Sequence, residues 1–195
     1  MPSSVLPIVF LLASSIAVAT GQTPPEKAGS PAFAQALKAR EKLLDSLHDA
    51  LAQAQTAAEA NALAGQIWAV WLSHHNPAIN DLMQQVLAAR RAGRWQYAIE
   101  LTGIILESDP SYAEAWNQRA TIRFMLGQYE ASLEDVAETL KREPRHFGAL
   151  AGRGMIRLRQ GRDALAWQNF EAARKWHPFV IERGLVPPSA REVQT

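Results

Sequence analysis

The chain has 195 residues, 48% of them hydrophobic and 20% charged. That is enough apolar content for one compact domain or one short solenoid, and too much for a largely disordered chain. Lys and Arg nearly balance Asp and Glu at a formal net charge of +1, so overall charge points to no nucleic acid and no anionic membrane surface as partner. The absence of cysteine excludes disulfide frameworks, thiolate metal sites and cysteine nucleophiles.

Residues 5–19 are apolar or small, about the length of a signal-peptide core and short for a bilayer span. Ala17-Val18-Ala19 then supplies the small-x-small pattern of a cleavage site. The expectation is a signal peptide over 1–19, cleaved near Ala19, and a periplasmic mature chain without stable membrane insertion. Residues 1–4 contain no Lys or Arg, so an uncleaved anchor stays open as the alternative. No cysteine follows the run, which excludes a lipoprotein anchor. Residues 20–30, with Pro24, Pro25 and Gly29, read as a flexible linker.

From Pro31 onward the pattern is helical. Ser30-Pro31 is an N-cap followed by a first-turn proline, with Leu37, Leu44, Leu47 and Leu51 at helical spacing behind it. Thr56 and Glu59 have capping-box spacing and open a second helix carrying Leu63, Ile67, Val70 and Trp71. Together they predict an N-terminal hairpin over 31–75 that caps the elements after it, with Trp68 and Trp71 packed on the first of them. Asn76-Pro77 repeats the cap-and-proline signal. No alternating β-branched run suggests a sheet.

An internal repeat organises the remainder. Pro110, Pro144 and Pro178 are 34 residues apart, as are Gly93, Gly127 and Gly161. Leu82, Trp116 and Leu150 share the period, and so do Ala98, Ser132 and Ala166, and Ile99, Leu133 and Trp167. Such a period marks stacked helix-turn-helix units. The glycine suits the left-handed turn between the helices of a unit, the proline ends the second helix, and the small residues let the two helices approach. The expected class is all-α: a helical solenoid of three repeats, about 79–112, 113–146 and 147–180. A short terminal helix near 179–184 and a loose tail to 195 should follow.

The middle unit, with Ala113, Glu114, Ala115, Trp116, Asn117, Arg119, Ala120, Leu126, Gly127, Tyr129, Leu133, Asp135, Leu140 and Pro144, resembles the tetratricopeptide (TPR) repeat motif. The third unit keeps Ala149, Leu150, Arg153, Gly154, Gly161, Ala166, Phe170, Ala173 and Pro178 but has Asp163 where an aromatic is usual. The first departs further, with Val86 where Gly or Ala is expected. Ala115-Trp116-Asn117 and Pro144-Arg145-His146-Phe147-Gly148-Ala149-Leu150 are also similar to small exported alphaproteobacterial repeat proteins. The resemblance implies a concave groove lined by the first helix of each unit. Its inward stripe would be Asn80, Met83, Gln84 and Leu87, then Glu114, Asn117, Gln118 and Thr121, then Gly148, Ala151, Gly152 and Met155. A mixed apolar and amide lining suits an extended peptide or a partner helix; the basic residues with which some members clamp a C-terminal carboxylate are missing.

Arg119 and Arg123 recur as Arg153 and Arg157. Arg119 is expected to pair with Asp135, whereas the third unit offers only Gln168 and Asn169, leaving Arg153 for an outside anion. Charge is uneven as well: residues 96–140 hold eight acidic residues against two arginines, and 141–183 hold ten basic against four acidic. This reads either as solvated faces or as opposite patches that steer a charged partner or bring chains together head to tail. Gly148, Gly152 and Gly154 in one helix each cost about 1 kcal/mol against Ala. Gly154 is assigned to packing within its repeat; the other two either leave the groove shallow or receive a partner backbone.

Catalytic motifs are absent: no G-x-S-x-G, no phosphate loop, and no dinucleotide motif at Gly152-Arg153-Gly154. The histidines at 48, 74, 75, 146 and 177 lack zinc spacing, with His74 and His75 expected on different helix faces. The sequence thus predicts no catalytic residue, metal or cofactor, and a periplasmic adaptor that holds a protein or peptide. A structural subunit of an envelope complex, or a homo-oligomer, is the alternative.

Overall fold

The computed structural model describes residues 30–180, 184–186 and 188. The expected signal peptide, the linker before Ser30 and the tail beyond 188 lie outside the described residues, as does half of the expected helix at 179–184. Eight helices and no strand occur among the described residues: α1 (Pro31–Ala52), α2 (Ala57–Leu72), α3 (Pro77–Arg91), α4 (Trp95–Ser108), α5 (Ala113–Met125), α6 (Tyr129–Arg142), α7 (Phe147–Arg159) and α8 (Asp163–Arg174). None of the described helices is long and apolar enough to cross a membrane.

Local chemistry sets the starts. Ser30 Oγ accepts from the Phe33 amide at 3.0 Å ahead of Pro31. Thr56 Oγ1 accepts from Glu59 N at 3.2 Å, while Glu59 Oε2 accepts from Gln55 N at 3.0 Å, so two otherwise orphaned donors are satisfied reciprocally. Asn76 Oδ1 accepts from Ala78 N at 3.0 Å ahead of Pro77. Gly93, Gly127 and Gly161 have φ of 69°, 73° and 69°, a left-handed conformation in which a Cβ would be strained.

Each glycine turn joins an antiparallel pair, α3–α4, α5–α6 and α7–α8, and the three pairs stack. Ile79, Met83, Val86, Ala98, Leu101, Ile105 and Ile122 share one core; Leu150, Ala166, Phe170 and Ala173 form another. Val86, against the family pattern, is simply enclosed. Helices α4 and α6 stop two residues before Pro110 and Pro144, whereas α8 stops at Arg174, four before Pro178. After the early stop, Trp176 packs between the third repeat's core and the hairpin.

That hairpin departs from expectation. It does not continue the stack beyond α3: among the described residues, it meets the first repeat's core only near its end, through Leu72 and through the His74 ring on Tyr112. Its own core of Leu44, Leu47, Leu51, Ala60, Ala64, Ile67 and Trp71 instead takes in Phe147, Trp176 and Phe179 from the third repeat. The reason is fit: Gly148 leaves room for the Trp68 ring, and Phe147 takes Trp68 edge-on and Trp71 tilted against it, with Trp176 in the same cluster. The hairpin therefore lies along the connections between repeats, from Asp109 and Tyr112 to Phe179.

Candidate functional site

At the centre of this junction is Glu114, in the first turn of α5 and 1% exposed. Its carboxylate accepts from Asn117 Nδ2 at 3.2 Å, from Gln118 Nε2 at 2.5 Å and from His146 Nε2 at 3.0 Å. Gln118 Oε1 in turn accepts from Arg90 Nη1 at 2.8 Å. The His146 Nδ1 accepts the Ala149 amide at 3.1 Å as the N-cap of α7. A ring nitrogen that accepts carries no proton, so the proton sits on Nε2 and the imidazole donates to Glu114. Trp71 stacks on one face of that ring.

A second histidine is held the same way. His74 Nδ1 accepts from the Asn76 amide at 3.0 Å and Nε2 donates to Asp109 Oδ2 at 2.9 Å. Asp109 is held below the usual carboxylate range: burial pushes it up, and hydrogen bonds from Ser111 and His74 more than offset that. Next to His146 in the chain, Arg145 bridges Asp45 of α1 at 2.6 Å and Glu143 at 3.0 Å. Glu143 is likewise lowered, burial being overcome by the Arg145 guanidinium. His48, 2% exposed against Trp71, Phe147 and Trp176, is lowered to about 4 by burial and then by the Arg145 charge. His177, edge-on to Phe147, is lowered by burial. Four histidines thus line the contact between hairpin and repeats, and the fifth, His75, meets Phe33 of α1. His74 and His75 do not diverge on a helix; they sit in the α2–α3 connection with ring centroids 4.1 Å apart.

The expected inward stripe is therefore largely covered. Glu114, Asn117 and Gln118 are buried in the network just described. Met83 and Leu87 are core side chains, as is Ala151. Asn80 is spent locally, donating to the His74 carbonyl at 2.6 Å and accepting its amide at 2.7 Å, while Gln84 is exposed. Gly148 has its neighbour already: a Cβ there would lie 2.7 Å from Trp68 Cζ2. The backbone predicted to lie on it is replaced by an indole of the same chain. Gly154 is confined by Phe170, whose Cε1 would be 2.5 Å from a Cβ, as packing within the repeat requires. Arg153 faces α8, where its Nε donates to Asn169 Oδ1; it has a partner after all, though an uncharged one.

What stays open is a cleft between α5 and α7. Asn117, Thr121, Phe124 and Met125 line one side and Gly148 and Met155 the other, with Gly152, Ala120, Val136 and Ile156 among the residues of the floor. It is a shallow cleft that opens to solvent, with room for little more than a side chain at its base. A Cβ at Gly152 would meet nothing within 4 Å, and Met125 is 44% exposed. Phe124 and Met125 were missed by reasoning from one stripe per helix; they lie in the last turn of α5, past the point where the hairpin covers it. A second, more polar recess between α1 and the repeat connections is lined by Arg40, His74, His75, Asp109, Arg142 and Glu143, among others.

Arg119 makes the expected pair with Asp135, Nε at 3.0 Å and Nη2 at 2.8 Å, and Arg123 Nη1, which donates to the Ala131 carbonyl, adds an ion pair to the same carboxylate at 2.9 Å. Trp116 sits under the Arg119 and Arg142 guanidiniums at 4.8 and 4.9 Å.

A TPR repeat-containing protein of Rhizobium etli is 34% identical over 173 residues, an alignment covering 87% of this chain and 83% of the relative. The chain belongs to the TPR repeat-containing proteins. No family model matches it. Among solved structures, the Arabidopsis OM64 TPR domain superposes with a TM-score of 0.55 at 17% identity, covering 60% of this chain and 97% of that one. The first TPR of Spaghetti (RPAP3), bound to an HSP90 peptide, gives 0.53 at 18% identity over 55% and 85%. The Yersinia enterocolitica secretion chaperone SycD, in complex with a YopD peptide, gives 0.51 at 12% over 59% and 88%. At these identities the likeness is one of fold.

Proposed function

We propose that this protein is a non-catalytic adaptor of the bacterial periplasm, and that it holds an extended segment of a partner protein in the cleft between α5 and α7. The observation that carries the reading is the cleft itself: apolar walls from Phe124, Met125 and Met155, an open floor at Gly152, and the Asn117 and Thr121 side chains along one wall. A pocket of few polar groups among apolar ones favours a peptide whose side chains alternate into it. Two structures of like fold hold peptides, which supports a peptide as occupant. Export rests on Ala17-Val18-Ala19 and the apolar run before it.

Gly152→Trp is the test, because the position has room for a side chain and the indole would fill the cleft. Peptides selected from a displayed random library on the wild-type mature chain should lose about tenfold or more in affinity for the variant, as for loss of a central contact, with the helical circular dichroism unchanged. Equal affinity would remove the cleft as the site. Export is tested separately by sequencing the N-terminus of the protein recovered from periplasm; a first residue other than one near Thr20 would remove the cleavage reading.

A further inference from the structure

The repeat makes one part of the chain a control for another. In the middle repeat, Arg119 and Arg123 stand one turn apart on α5 and close together on the Asp135 carboxylate of α6, whose side chain is 2% exposed. Moving on by 34 residues preserves both cations as Arg153 and Arg157 of α7 but puts Asn169 of α8 where the carboxylate was. The geometry is kept: Arg153 Nε reaches Asn169 Oδ1 as Arg119 Nε reaches Asp135. The charge is not. An amide oxygen offers a dipole, and its nitrogen is already committed to the Leu165 carbonyl at 2.5 Å.

Arg157 turns its Nη1 to the Gln160 side chain at 2.9 Å, again a neutral acceptor. Neither guanidinium makes an ion pair among the described residues. Burial and then the neighbouring Arg157 charge lower the pKa of Arg153, the effect expected of a like-charged pair left without its counter-ion. Both arginines are half-buried and reach solvent.

We infer that Arg153 and Arg157 form an anion site for a carboxylate, which would meet the solvent-reaching guanidinium N–H groups beside Asn169 and supply the charge that Asp135 gives the preceding repeat. The class follows from the internal example: two guanidiniums presenting several N–H groups to one planar two-oxygen group, the arrangement in which arginine binds carboxylate best. The site faces α8, not the cleft, so it stands whether or not the cleft takes a peptide.

Arginine side-chain NMR of the full chain, titrated with acetate against chloride at equal ionic strength, tests this. The Nε signals of Arg153 and Arg157 should shift saturably with acetate while those of Arg119 and Arg123 stay put. Asn169→Asp, which supplies the carboxylate from within, should weaken the acetate response roughly tenfold or more and raise Tm. Acetate shifts at all four arginines alike, or a response that Asn169→Asp leaves intact, would overturn the site. The source of the carboxylate is read from two short blocked peptides, one with a Glu side chain and an amidated end, the other with a free C-terminus and no acid. Competition by either supports the assignment, and competition by neither overturns it.

Discussion

The indole of Trp71 lies flat on the imidazole of His146, with ring centroids 4.0 Å apart and planes within 11°. Trp71 belongs to α2 and His146 caps α7, so the stack joins the hairpin to the third repeat. It also screens from water the hydrogen bond His146 gives to Glu114. Trp71→Ala should cost about 3–5 kcal/mol, the range for losing a buried aromatic. Urea unfolding reads it directly, and a loss under 1 kcal/mol would mean that the hairpin is not held there.

Acid should loosen the same junction. His48 has a folded pKa lowered to about 4 from an ordinary 6.5. The folded state therefore favours the neutral ring: nothing is lost above pH 6.5, and stability falls between 6.5 and 4 by up to about 3 kcal/mol. His177, also lowered by burial, acts with the same sign. Asp109 and Glu143, held below their usual range, lose their contribution only at more acid pH. His48→Phe should flatten the Tm profile between pH 6.5 and 4; an identical profile would exclude His48 as its source.

Three glycines on one helix should respond differently to alanine. Gly148→Ala drives a Cβ into Trp68 and Gly154→Ala drives one into Phe170, so each should destabilise by about 1–3 kcal/mol. Gly152→Ala meets nothing and should stabilise by about 0.5–1 kcal/mol through helix propensity. Thermal melts of the three variants rank them, and a destabilised Gly152→Ala would contradict an open cleft floor.

Removing the carboxylate that two arginines share should be costly. Asp135→Ala leaves Arg119 and Arg123 facing each other, at a cost of up to about 3 kcal/mol once their partial exposure is allowed for. Asp135→Asn should recover part of that, because the third repeat tolerates Asn at this place. The difference between the two variants in chemical denaturation is the readout.

The repeats were legible because their signals are local and periodic. Gly93, Gly127 and Gly161 announce a left-handed turn wherever they stand, and Arg119 with Asp135 is a contact within one helix pair. The placing of the hairpin was not legible, because Trp68, Trp71, His146 and Phe147 meet across some 75 residues of chain with no period linking them. Without that contact, Glu114 and Gln118 read as groove lining when they are the polar layer beneath the hairpin, and Asn117 belongs to both. A hint was present in the third repeat, where glycine at 148 made room for a ring. The cleft was half legible: Thr121, Gly148, Gly152 and Met155 belong to the expected stripe, and Phe124 and Met125 do not.

An open solenoid couples each unit only to the next, so its ends fray and its middle melts later. The hairpin, anchored at Asp109 by His74 and at Trp176 by His48, ties the connection after the first repeat to the one after the last. Such a brace closes a linear series of couplings into a ring, in which no unit can leave without straining the others. The array should then behave as a single cooperative body, with a curvature fixed before any partner arrives.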